Sequence, residues 1–257
     1  QRGLEDLSRE ASLANDPEAG NELQQEWERL TNQIIDYHND LKLQAVNQAW
    51  SMRAGVLLRA FVPEFKEHVI HFDGFDDASN FKTEMRKISP TATVPALRDT
   101  TKVTQDGTPL VVWDTLSIAE YIAEYCPTAP VWPIDPIARS QARSLCAEMH
   151  SGFTHIRKLC PMNIGPVLGR VGKILWRDNP GLRQDVSRLE AAWTEQLIAT
   201  GGPFLCGEFG AVDAYFSPVA MRMLSYNLPI IDRCRAYIDH LCDHHAVQDW
   251  MQKAKET

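Results

Sequence analysis

The chain has 257 residues, 44% of them hydrophobic, with a formal net charge of −8, enough to bury a sizeable core in one large or two ordinary domains. It contains no run of about 18 uncharged apolar residues, which leaves no candidate for a membrane-spanning helix. It also has no basic patch, which argues against nucleic acid as a partner.

The charge is unevenly placed. Residues 1–40 hold ten acidic side chains against Arg2, Arg9 and Arg29, a net of −7, so residues 41–257 are close to neutral at −1. The cluster from Asn15 to Gly20 breaks regular structure, and residues 21–38 carry Leu23, Trp27, Leu30, Ile34 and Ile35 at helical spacing. That apolar stripe needs a cover, from its own domain or from a partner.

From Leu41 the pattern changes to strand (Leu41–Val46), helix (Ser51–Phe61), strand (Glu67–Phe72) and helix (Asp77–Ile88). A Val94–Pro95 step, two further strands and a helix from Thr115 follow. The order β-α-β-α-β-β-α predicts a thioredoxin-like sheet, its first strand pair parallel and its last antiparallel. The segment Pro127–Pro136 has four prolines in ten residues and ends that domain. Helical patterns then cover 138–159, 163–176, 181–199, 211–224 and 231–254. The expected domains are therefore an acidic helical extension (1–40), a thioredoxin-like α/β domain (41–126), a linker (127–137) and an all-α C-terminal domain (138–257).

Six cysteines (Cys126, Cys146, Cys160, Cys206, Cys234, Cys242) show no CxxC or regular framework and read as reduced thiols of an intracellular protein. His240 and His244 are four residues apart but lack a third ligand at useful spacing, so no metal site is expected and they read as exposed C-terminal histidines. The N-terminus has no apolar signal segment. A cytoplasmic location is expected, and a start at Gln1 leaves room for a mitochondrial or plastid protein whose targeting peptide has been removed.

Two stretches suggest a site for a small peptide-like ligand. A proline entering a strand must sit at an edge, at the first residue or after a cis bond, which leaves the backbone of Val94 free to pair with an extended ligand. Asp114 and Thr115 lie where the apolar run Pro109–Trp113 meets a helical pattern. Either can cap that helix, whose N-terminal amides attract a carboxylate.

Together and in this order, these pieces resemble the glutathione-binding half of the cytosolic glutathione S-transferase superfamily, bacterial or zeta-like members in particular. The resemblance runs from about Leu41 to the C-terminus. It is carried also by Trp50-Ser51-Met52-Arg53, by Ser144–Phe153 and by Gly202–Gly207. Phe209–Ala214 looks like the family's buried helix start, with Gly210 at the cap and Asp213 at the third helical position.

The resemblance implies glutathione as substrate, a thioredoxin-like domain followed by an all-helical one, and a homodimer or a partner bound through residues 1–40. Val94, with Pro95 cis, would pair with the cysteinyl backbone of glutathione. Asp114 and Thr115 would hold its γ-glutamyl end, and Arg53 is a further candidate for its binding. An enzyme of this kind lowers the thiol pKa from about 8.5 by donating a hydrogen bond or placing positive charge at the sulfur. Here the candidates are Ser51 with Gln48 or Asn47. A hydrophobic electrophile would then lie against Trp50, Met149, His150, Phe153 and Met162, to be conjugated or isomerised.

The sequence also departs from the pattern. Gln48 and Ala49 occupy places where serines are expected, and Ala92-Thr93 stands for the usual Gly-Lys. These changes support an alternative, a catalytically degenerate structural or binding subunit. A glutathione-dependent reductase or lyase would call for a cysteine near position 48, and there is none.

Overall fold

A computed structural model describes residues 49–70, 73–74, 76–165 and 167–256. The chain divides into two units, Gln1–Leu43 and Gln44–Thr257, and every described residue belongs to the second. The predicted extension helix, the predicted strand Leu41–Val46, Asn47 and Gln48 lie outside the described residues.

The first described element is helix α1, 49–61, whose Met52, Ala54, Val56 and Leu57 are buried. Residues 67–70 of the predicted second strand form no ladder among the described residues. Helix α2 (Asn80–Arg86) is shorter than its pattern: Ser79 accepts from Lys82 N at 3.2 Å, and Asp73 accepts from Asn80 N and Phe81 N at 2.9 and 3.0 Å. Those acceptors satisfy amides that the helix leaves open and set where it starts.

Strands β1 (Ala96–Val103) and β2 (Pro109–Trp113) pair antiparallel, with Ala96 opposite Trp113 and Asp99 opposite Leu110. The turn between them closes through Thr104 N to Thr108 O at 2.9 Å. Helix α3 (Thr115–Tyr125) follows β2 after a single residue, Asp114.

The remainder is helical: α4 (Pro136–Ser151), α5 (Thr154–Leu159), α6 (Gly169–Asp178), α7 (Pro180–Thr200), α8 (Ala211–Ser225), α9 (Asp232–Asp243) and α10 (His245–Glu256). This is the α/β-then-all-α arrangement expected, with three corrections, the first being that the pattern expected over 163–176 becomes helical only from Gly169. The pattern over 138–159 is broken at Gly152 and Phe153, and the pattern over 231–254 is broken at His244.

The first break has an external cause. Asp185 Oδ2, on α7, accepts from His155 N and Ile156 N at 2.9 and 3.0 Å and so caps a new helix. At the second, His244 leaves the helical region at ψ 129 and its ring stacks on Phe209, 3.8 Å between centroids. His244 is thus a packing residue and not the exposed histidine expected.

Helix α8 forms the centre of the core, with thirteen buried residues from Ala211 to Met223. Asp213, fully buried, accepts from Leu205 N (3.1 Å), Gly210 N (3.0 Å) and the Tyr237 hydroxyl (3.0 Å). Gly210 is favoured by close approach, since a Cβ there would crowd Pro130 O and Val131 O at 3.0 Å. All six cysteines are free. Among the described residues no helix is long and apolar enough to cross a membrane.

Candidate functional site

The site is built around the junction of β2 and α3. Asp114 has φ 71, a left-handed value that costs a non-glycine residue on the order of 1–3 kcal/mol and persists only where the surroundings enforce it. Here its Oδ1 accepts from Leu116 N at 2.8 Å and its carbonyl from Ile118 N at 3.0 Å. The carboxylate is thereby held at the positive end of α3 while Oδ2 points away, 3.6 Å from His150 Nε2 on α4.

Thr115 is 1% exposed, and its hydroxyl makes no hydrogen bond. The Tyr215 hydroxyl, on α8, is likewise buried; Thr115 lies close enough to act on it as a hydrogen-bonding neighbour, although neither hydroxyl meets full hydrogen-bond geometry. Burial pushes the Tyr215 phenol well up, so it stays a neutral donor.

Trp50, on α1, brings the two halves of the unit together. The Arg53 guanidinium stands 4.4 Å over its ring and 4.9 Å over Tyr215, and that of Arg157 stands 5.1 Å over Trp50. His150 meets the same indole edge-on at 5.0 Å. Such contacts favour a cation by roughly 0.5–2 kcal/mol each, more as water is excluded.

Arg53 is 2% exposed and its Nε and Nη1 have no hydrogen-bond partner. Burial lowers its pKa to about 10, partly offset by Tyr215 and, more weakly, by Cys146 and Asp114, so it is charged at neutral pH. Burial likewise lowers the pKa of His150, against the pull of Asp114, which leaves the imidazole neutral in the same range.

The Val94–Pro95 peptide is cis. Val94 packs on the small core of Phe81, Met85 and Ala92, and neither its amide nor its carbonyl joins a backbone bond among the described residues. Ala92 has φ 49, the conformation glycine would take at no cost. Lys82, from α2, donates to Ala92 O at 3.0 Å, so a cation reaches this loop although Thr93 has replaced the local lysine.

The structure thus gathers Trp50, Arg53, Asp114, Thr115 and His150. Ser51 is half-buried beside Trp50 in the first described turn of α1. Met149 and Met162 are fully buried and Phe153 is 7% exposed, packed 6.5 Å from Phe216. These three belong to the core, which leaves Trp50 and His150 as the expected lining residues with accessible surface. Sequence reasoning missed Arg157 and Tyr215. Tyr215 lies two residues beyond Asp213 in the helix-start motif, but nothing local marks its hydroxyl, and Arg157 reaches Trp50 only because α4 breaks before it.

The profile described as glutathione S-transferase, N-terminal domain, matches residues 49–124. The stringent starvation protein A homologue of Coxiella burnetii (strain RSA 493 / Nine Mile phase I) is 31% identical over 147 residues, 57% of this chain and 61% of that protein. The chain therefore spans about three-fifths of the length of that curated relative. A glutathione transferase homologue from Burkholderia gl BGR1, solved with bound glutathione, superposes with a TM-score of 0.58 at 19% identity, covering 83% of this chain and 96% of that one. A bacterial zeta-class maleyl pyruvate isomerase does so at 0.56 and 17%, covering 80% and 93%.

Proposed function

The chain belongs to the glutathione S-transferase superfamily, and from that premise we propose that it binds glutathione and adds its thiol to, or uses it to isomerise, a hydrophobic electrophile. The observation that carries this reading is the Asp114–Thr115 junction: a carboxylate held in a costly left-handed conformation beside a buried hydroxyl with no partner. Asp114 takes the γ-glutamyl ammonium, Thr115 and the first amides of α3 take its carboxylate, and Val94 offers its backbone to the cysteinyl unit. Arg53 adds positive charge behind the carboxylate. The described residues, from 49 on, belong to one compact unit, and we place the boundary between its α/β and helical domains in the proline-rich stretch 127–137.

Ser51, at the start of α1, is the donor nearest the expected sulfur position, with Gln48 or Asn47 preceding it. The bound thiol is then expected to ionise below about pH 8.5. Titration of thiolate absorbance in the glutathione complex tests this, with Ser51→Ala expected to move the midpoint back up.

A second reading is favoured by Ala49, which is buried where a serine hydroxyl is expected, and by similarity to a stringent starvation protein homologue. In it the chain is a degenerate binding subunit. Glutathione then binds with an unshifted thiol, or not at all.

A further inference from the structure

Among the described residues, Arg157 is the cation over Trp50 that the glutathione reading does not use. It sits on α5, half-buried, and its Nη1 donates to two carbonyls, His150 O at 3.0 Å and Gly152 O at 3.3 Å. Those bonds fix the guanidinium at the break between α4 and α5. No carboxylate pairs with it among the described residues, and its Nε and Nη2 keep their donors. Burial lowers its pKa and nothing raises it again.

A desolvated guanidinium without a counter-charge is costly, and the cost is recovered when an anion arrives. Arg53, buried and with two unpartnered nitrogens, shares the Trp50 ring with it, so two cations without an ion-pair partner among the described residues converge on one indole. Asp114, whose charge acts on Arg53, faces His150, and Glu148 pairs with Arg188. The free donors of Arg157 form a fork suited to a carboxylate, and Trp50 offers a flat surface for an unsaturated or aromatic body attached to it.

We propose that Arg157 and Trp50 form a carboxylate subsite at the α4–α5 break, so that the co-substrate is an acid with a planar apolar body. The inference rests on the glutathione reading for its assignment to the co-substrate. Its structural content, an anion site at Arg157, stands apart from that reading.

The test uses the whole chain, with cinnamate and methyl cinnamate as probes of one skeleton with and without charge. Binding is followed by tryptophan quenching with and without saturating glutathione, and glutathione binding is measured separately by calorimetry. Cinnamate is expected to bind at least about tenfold more tightly than the ester. Arg157→Met should bring that ratio close to one, while Arg157→Lys, which keeps the charge and loses the fork, should retain part of it.

Equal binding of acid and ester, or a ratio that Arg157→Met leaves intact, overturns the subsite. Displacement of cinnamate by glutathione overturns its assignment to the co-substrate and gives the anion to glutathione itself. If glutathione fails to bind while the acid preference survives and depends on Arg157, the glutathione reading fails and the anion site stands. Melting curves for each variant separate loss of the site from loss of the fold.

Discussion

His150 Nε2, on α4, stands 3.6 Å from Asp114 Oδ2, so a residue of the C-terminal helices faces the carboxylate that caps α3. The imidazole pKa is lowered by burial, and by Arg53 and Arg157, against Asp114. A neutral His150 leaves the Asp114 charge unpaired, available to the ligand ammonium of the proposed glutathione complex. Once protonated, it competes with that ammonium.

Glutathione affinity is therefore expected to fall as pH drops below about 6.5, and His150→Gln should flatten this dependence. Calorimetric titrations from pH 5 to pH 8 on both proteins check it.

Asp213 predicts a stability trend of the opposite sense. Burial raises its pKa to about 6, against the pull of its three hydrogen bonds. The folded state thus holds the proton more tightly than the unfolded state, whose pKa is about 3.9. Stability from this group is present below about pH 4 and lost as pH rises to about 6, by on the order of 3 kcal/mol. Asp213→Asn should remove the slope. It should also lower stability by about 1–3 kcal/mol near neutral pH, because an amide leaves a donor facing donors, and by more on the acid side, where the wild type gains from the bound proton. Denaturant melts across this range measure both effects.

His244 acts the other way in the same window. Its pKa is lowered to about 4 by burial, with smaller effects from His245 and His240. The unfolded state binds the proton first, so its contribution is present above about pH 6.5 and lost as pH falls toward 4. His244→Phe keeps the stack on Phe209 and should remove this acid-side loss, seen as a smaller drop in Tm on acidification.

Much of the fold was legible because it is local. The stop between Trp113 and Leu116, the proline-rich linker and the stripes of α7 and α8 follow from neighbouring residues alone. What was hidden depends on distant partners. The cap of α5 comes from Asp185, thirty residues beyond His155. Gly210 read as a weakened cap, whereas its close packing on the Pro130 and Val131 carbonyls leaves little room for a Cβ. In the site, Asp114, Thr115 and Arg53 could be named from their motifs. The sandwich of Arg53 between Trp50 and Tyr215 could not, since it joins α1 to α8 across more than 150 residues.

Gly55 gives a packing prediction of the same non-local kind. A Cβ there would lie 2.1 Å from Trp250 Cζ3 and 2.6 Å from Cε3. Gly55→Ala must push aside an indole that also lies under Arg59, 5.0 Å away. The expected cost is about 1–3 kcal/mol, with red-shifted tryptophan emission as α10 moves off α1.

Calorimetric titration with glutathione of the wild-type protein, Thr115→Ser and Thr115→Ala tests the central claim most directly. The account predicts saturable binding by the wild type, near-wild-type affinity for Thr115→Ser, and a loss of about tenfold or more for Thr115→Ala, the size of one hydrogen bond to a charged group. No binding by the wild type at several-millimolar glutathione, or equal binding by all three, would contradict it.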